Sequence, residues 1–340
     1  MLYYYALLYY NINLKQIKTM KKIHLISTLI GLLAFSTISK ADLKVVTSIK
    51  PIHSLASYIM DGVGSPGLIV DGYNSPHSFQ LKPSHAKMLE QADIIFWIGE
   101  DLENFLEKPL ATIAKKAEKI ELLEIKGIKK LKFRERNIFE EHEGHDDHGD
   151  DTKKQEHDDH GHDAEKEEHD DHGHGEYDPH IWLDPINAKV ILNEITEHLI
   201  ENDSKNAATY KSNLAKAISE IDKLIIDVIT ETNTDLSYVV FHDAYQYYEN
   251  RFNVNILGAM TVNPDVMPGA EQIHEIHEVI EHDNVSCILS EPQFNPDIIK
   301  SIAKDTSVKT GVLDPLGANL KPGKDLYFDL IRNMSASFNC

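Results

Sequence analysis

Cysteine is nearly missing from this chain: 340 residues carry only Cys287 and the terminal Cys340. In an oxidising compartment two cysteines in one region read as a single disulfide. It would close a loop of 53 residues and pin the terminus, with a chain-entropy contribution of roughly 4 kcal/mol. A zinc–thiolate role is the weaker reading. Basic residues are scarce too, 34 Lys and Arg against 55 Asp and Glu, and they form no stripe. That argues against a nucleic-acid partner. No apolar run is long enough to span a bilayer. Ile23–Ile38 follows Met20-Lys21-Lys22 and precedes the small-residue pattern Ser39-Lys40-Ala41, which is the layout of a cleaved secretory signal. No cysteine stands at that cleavage point, so lipid attachment there is excluded. The expected mature chain starts near Asp42, with residues 1–19 lying upstream of the true start, and is a soluble periplasmic protein. There is no HExxH motif and no obvious general base beside the candidate ligands described below.

What the chain has in excess is histidine among acids. Between Glu140 and Tyr177 stand His142, His145, His148, His157, His160, His162, His169, His172 and His174, with almost no apolar residue between them. Such a tract cannot bury enough hydrocarbon to fold alone, but it offers many imidazoles and carboxylates for weak, secondary binding of a divalent transition metal. Its 17 acids and three lysines account for −14 of the net charge of −21, so the rest of the chain is only mildly acidic.

Elsewhere, 41% hydrophobic content suffices for one or two cores. Short apolar runs alternate with amphipathic stretches: strands at 44–47, 67–70 and 94–98 and helices at 54–61, 84–90 (capped by Ser84) and about 105–114. After Asp184-Pro185 come two helices, the second running from beyond Ser204 to about Thr232 with Tyr210, Leu214, Ile218, Ile221, Leu224 and Ile225 on one face. At ~1.5 Å per residue it would reach on the order of 40 Å, enough to join two lobes. Strands at 238–241, 254–257, 286–289 and 308–313 then alternate with helices at 245–251, 272–282 and 298–304. Runs buried on both faces and separated by helices indicate parallel sheets. The expected fold is α/β, with two (β/α) lobes joined by one long helix. Residues 42–185 form the first lobe, carrying the insertion 140–177; 186–234 are the helical connection and 235–340 the second lobe.

Sites in open parallel sheets form beyond the carboxyl ends of the strands. His242 and Asp243 follow YVVF, Glu291 follows SCILS and Asp314 follows VKTGVL; His77 lies shortly after GLIV, and His180 sits in the turn Asp178-Pro179-His180. His77, His180 and His242 with Asp314 would make a nitrogen-rich tetrahedral set suited to zinc. His274 and His277 have i,i+3 spacing, but a solvated helix face explains them better. Trp97 and Trp182 read as packing residues.

SIKPIHSL (48–55), SPHSFQLKPS (75–84), DPHIWLDP (178–185), FHDAYQYY (241–248), SEPQF (290–294) and LDPLG (313–317) together resemble the zinc-specific solute-binding proteins of ABC importers. The likeness runs from about residue 43 to the C-terminus. It implies a protein that binds one Zn²⁺ in an interlobe cleft and delivers it to a membrane permease, without catalysing a reaction. It places the ligand histidines at His77, His180 and His242, allows a histidine-rich loop in the first lobe, and pairs Cys287 with Cys340. Manganese-binding relatives carry Glu where this chain has His242, which argues for zinc over manganese; a solute-binding protein for another divalent ion (manganese, nickel or copper) is the alternative reading. A zinc-dependent hydrolase is the remoter alternative. Some zinc-binding members have an acid directly before the first histidine; Pro76 stands there, leaving Asp314 or a water as fourth ligand. His53 and Glu291 are expected to support the ligands rather than touch the ion, and a monomer is the default.

Overall fold

Every residue of the run Ile94–Trp97 is buried, as is every residue of Val45–Thr47, and two-sided burial is what selects parallel pairing for them. The computed structural model describes residues 42–134, 136–139, 175–262, 264, 268–304 and 306–340. The first half contains β1 (Val45–Thr47), α1 (Lys50–Ile59), β2 (Gly67–Leu68), α2 (Pro83–Gln91), β3 (Ile94–Trp97), α3 (Glu100–Thr112) and β4 (Glu118–Glu121). Their strands form one parallel sheet in the order β2-β1-β3-β4. The second half contains β5 (Ser237–His242), α6 (Gln246–Phe252), β6 (Asn255–Thr261), α7 (Ala270–His282), β7 (Cys287–Ser290), α8 (Asp297–Ala303), β8 (Lys309–Val312) and α9 (Leu326–Ser337). Its sheet is parallel in the order β6-β5-β7-β8. Between the halves lie α4 (Pro185–Asn202) and the 25-residue α5 (Ala207–Glu231) that joins them. Leu43–Cys340 is one compact unit.

Several local expectations give way to stronger local forces. Ser84 is not the cap of α2: Pro83, with φ already helical, takes the first position, and the N–H of Lys82 donates to His85 Nδ1 at 3.2 Å. Helix α3 begins at Glu100, five residues earlier than its apolar pattern predicts. Glu103, fully buried, accepts the N–H groups of Ile98 and Gly99 at 2.9 and 3.0 Å, closing the first turn around a non-helical φ of −118°. Strand β4 and helix α9 are additions to the expected list. Asp203 organises the entry to α5 by accepting Asn206 Nδ2 and Tyr210 Oη.

Two features lock the halves together. Helix α9 packs on α1 and α5, where Tyr327 N–H donates to Ser54 Oγ and Tyr327 Oη to the Trp182 carbonyl. Residues 137–139 add a short antiparallel segment to the free edge of β6, through Phe139 N–H to Leu257 O and Ala259 N–H to Asn137 O. Gly258 is required there, since a Cβ would lie 2.7 Å from the Asn137 carbonyl. Cys287 and Cys340 are joined by a disulfide that ties the end of α9 to β7. Among the described residues no helix is long and apolar enough to cross a membrane.

Candidate metal centre

Three histidines from three separate segments meet at one point. His77 comes from the loop after β2, His180 from the turn ahead of α4, and His242 is the last residue of β5. One ligand atom from each lies within 4.8 Å of the others, and the three ring centroids are 5.3 to 5.7 Å apart. His180 and His242 are almost fully buried. The surrounding pocket is walled by apolar Pro76, Trp182, Phe294, Pro315 and Leu316. Trp182, expected only to pack, is both a wall of the site and a donor to the Pro315 carbonyl at 2.8 Å.

The orientation of two rings is fixed by carboxylates behind them. Asp178 Oδ1 accepts the His180 backbone N–H at 2.9 Å and lies 2.8 Å from His180 Nδ1. Glu291 Oε1 lies 2.5 Å from His242 Nδ1. With each Nδ1–H donated backwards, the lone pair of each Nε2 points into the pocket, as in carboxylate–histidine–metal sites generally. The two Nε2 atoms stand 3.4 Å apart. Two lone pairs facing each other repel; a cation between them resolves the conflict. Tetrahedral Zn–N bonds of ~2.0–2.1 Å would put ligand nitrogens about 3.4 Å apart, so this spacing fits zinc.

Electrostatics push the two rings in opposite directions. Burial, and then the neighbouring His242, hold His180 well below the ordinary imidazole range. Burial also opposes a charge on His242, but the Glu291 carboxylate overrides it and raises that ring above its usual value. Burial lifts Asp178 to about 7, and Asp243 and Glu249 likewise. Arg134 offsets the last two: its guanidinium reaches Asp243 Oδ1 at 3.2 Å and pairs with Glu249, under the ring of Phe139 at 3.8 Å.

Other expected residues fall elsewhere. Asp314 is not brought to the histidines. Its Oδ1 accepts the N–H groups of Leu316 and Gly317, at 3.0 Å each, and the Gln293 amide at 2.9 Å; its Oδ2 accepts Ala318 N–H at 2.5 Å. The turn built by Asp314-Pro315-Leu316-Gly317 aims three donors at this carboxylate, and they outcompete the pocket for it. His53 is also engaged elsewhere, between the Pro66 carbonyl at 3.2 Å and Ser57 Oγ at 3.4 Å. Glu291 does support a ligand. Asp178 was missed as a supporting group; its signal was the Asp-Pro-His order, in which an Asp side chain naturally reaches the N–H two residues on. The nine histidines from His142 to His174 lie outside the described residues. His274 is exposed, beside Glu278 at 3.5 Å. A further group, Glu118, His198 and Glu201, lies at the surface. There His198 is sandwiched between Glu118 at 2.9 Å and Glu194 at 3.2 Å, contacts that place the ring without a metal.

Residues 45–339 match the family model described as zinc-uptake complex component A, periplasmic (ZnuA). The chain belongs to the ZnuA family. A similar curated relative is the high-affinity zinc uptake system protein ZnuA of Brucella abortus (strain 2308), 46% identical over 304 residues, covering 86% of this chain and 90% of the relative. Among solved structures, a crystal structure of ZnuA superposes with a TM-score of 0.67 at 20% identity, covering 88% of this chain and 100% of that one. A zinc-bound ZnuA lacking its residues 138–173 has a TM-score of 0.65 at 20% identity, with coverages of 86% and 96%. ZnuA proteins are solute-binding components of zinc uptake, not enzymes, and the two-sheet α/β fold with its joining helix is theirs.

Proposed function

We propose that this chain captures one Zn²⁺ ion in the periplasm with His77, His180 and His242 and hands it to the membrane permease of an ABC importer. The observation that carries the ligand assignment is the pair of buried Nε2 atoms 3.4 Å apart, each backed by a carboxylate on its Nδ1. The fourth position falls to a solvent molecule, because Pro76 has no donor and the Asp314 carboxylate is occupied by the turn that follows it. Three neutral imidazoles suit zinc better than manganese, which favours more oxygen. Residues 42–185 and 235–340 act as the two lobes, 186–234 as their connection, and the segment before Asp42 as a removed export signal. The histidine-rich tract acts as a weaker collector of the same ion, since its donors have no fixed geometry in common.

The test is calorimetry on three proteins. The full chain should show one tight zinc site plus weaker ones; deletion of Glu141–Gly175 should leave the tight site alone; His180→Ala should remove it and leave the weak ones. Loss of the tight site on the deletion, or its survival in His180→Ala, overturns the assignment.

A further inference from the structure

Helix α6 starts four residues after His242 and reaches across to the segments that flank the histidine-rich tract. Gln246 Nε2 donates to the Lys132 carbonyl at 3.0 Å. Arg251 forks onto both oxygens of Asp184, each at 2.7 Å. Between them Tyr247, 1% exposed, places its hydroxyl where the outgoing and returning segments meet. That oxygen accepts the Leu131 N–H at 3.0 Å and donates to the Asp178 carbonyl at 2.8 Å. Leu131 and Asp178 are themselves paired, Asp178 N–H to Leu131 O at 2.8 Å. Asp178 in turn holds His180.

From these contacts we infer that Tyr247 is a positioning residue for the metal centre. Its hydroxyl sets the backbone of Asp178, and hence the ring of His180, at a fixed place relative to His242. The inference rests on the proposed ligand set. A buried tyrosine hydroxyl with one accepted and one donated bond is fully used, and Tyr247 stands outside the lining of the pocket. Its part is to join two segments that each carry a metal-binding nitrogen. Helix α6 is rigidly continuous with β5 through only three residues, so the chain of contacts from His242 to His180 is short and passes through covalent backbone, one hydroxyl and one carboxylate. Small displacements there change the angle at which the two lone pairs converge. Supporting groups around metal ligands typically alter affinity by ~10- to 100-fold when removed, and Tyr247 stands one step further out than Asp178.

Tyr247→Phe keeps the ring and deletes the hydroxyl. In the full-length protein, zinc affinity measured against a chromogenic chelator should fall by roughly tenfold, at the low end of that range. The visible absorption of the first equivalent of Co²⁺ should shift, reporting altered ligand angles. Tyr210→Phe is the control: it deletes another buried hydroxyl, bonded to Asp203 at 2.9 Å, and should lower the melting temperature while leaving affinity and the Co²⁺ spectrum as in the wild type. If Tyr247→Phe does not fold, Gln246→Leu removes a neighbouring strand of the same clasp and should move both readouts in the same direction. Wild-type affinity and spectrum in the Tyr247 variant, or an equal change in the Tyr210 variant, overturn the inference. His180→Ala separates the two layers. If it abolishes the tight site while Tyr247→Phe behaves as wild type, only the positioning role fails; if it keeps a wild-type spectrum, the ligand assignment itself fails.

Discussion

Replacing Asp178 by Asn should weaken zinc binding while leaving the zinc-free fold as stable or more so. The carboxylate accepts two hydrogen bonds from His180 through one oxygen, and its other oxygen is buried without a hydrogen-bond partner. Asparagine can keep the acceptor but not the charge that makes the imidazole a stronger donor to a cation. Loss of such a partner typically weakens metal affinity ~10- to 100-fold, or about 1.4–2.7 kcal/mol. The opposite sign for the zinc-free protein follows from burial, which raises this carboxyl from 3.8 to about 7. Between those values the folded state holds a proton that the unfolded state has lost, so this group's contribution to stability falls as pH rises through that window. Above pH 7 the ionised group costs on the order of 4 kcal/mol, relieved in Asp178→Asn. Chelator competition at pH 8 gives the affinity; calorimetric melting of the zinc-free protein gives the stability. Unchanged affinity, or a melting temperature that drops along with it, would refute the reasoning.

Three other outcomes are expected. Zinc affinity should decline with acidification, beginning above the ordinary imidazole pKa of 6.5 because Glu291 raises His242; Glu291→Gln should weaken binding at pH 8 and move the decline to lower pH, and a pH-independent affinity would contradict this. Opening the Cys287–Cys340 disulfide by Cys→Ser at both positions should lower the unfolding free energy by roughly 4 kcal/mol for its 53-residue loop, read by urea titration, with the tight zinc site retained. Asp314→Ala should keep zinc affinity within about tenfold, below the ~100-fold reached when a supporting partner of a ligand is lost. The amides of Leu316, Gly317 and Ala318 should then exchange faster in hydrogen-exchange measurements; a lost tight site would instead make Asp314 a ligand.

The two sheets were legible because strands such as Ile94–Trp97 are apolar on both faces, a pattern that parallel pairing alone explains. Strand β4 was not, since only Ile120 of Glu118–Glu121 is buried and an edge strand reads as polar loop. The start of α3 was hidden for a related reason: Glu103 resembles a surface acid until the fold buries it as a cap. The three histidines could be found because the ends of strands and a rigid Asp-Pro turn are where parallel folds present ligands. Asp314 comes just after its strand much as His242 closes β5, yet the turn after it supplies donors that capture its carboxylate. Backbone placement is written in the hydrophobic pattern; which way a short acidic side chain turns depends on local donors that the pattern does not record. Tyr247 escaped for another reason: its partners, Leu131 and Asp178, lie in segments distant in sequence.

The central claim is that three imidazoles converge on one zinc ion. X-ray absorption at the zinc edge on protein loaded with one equivalent tests it most directly, alongside the same measurement on the Glu141–Gly175 deletion. One spectrum is expected for both, with three imidazole nitrogens at ~2.0–2.1 Å and one solvent oxygen. Fewer than three imidazoles, or a first-equivalent spectrum that changes when the histidine-rich tract is removed, would contradict it.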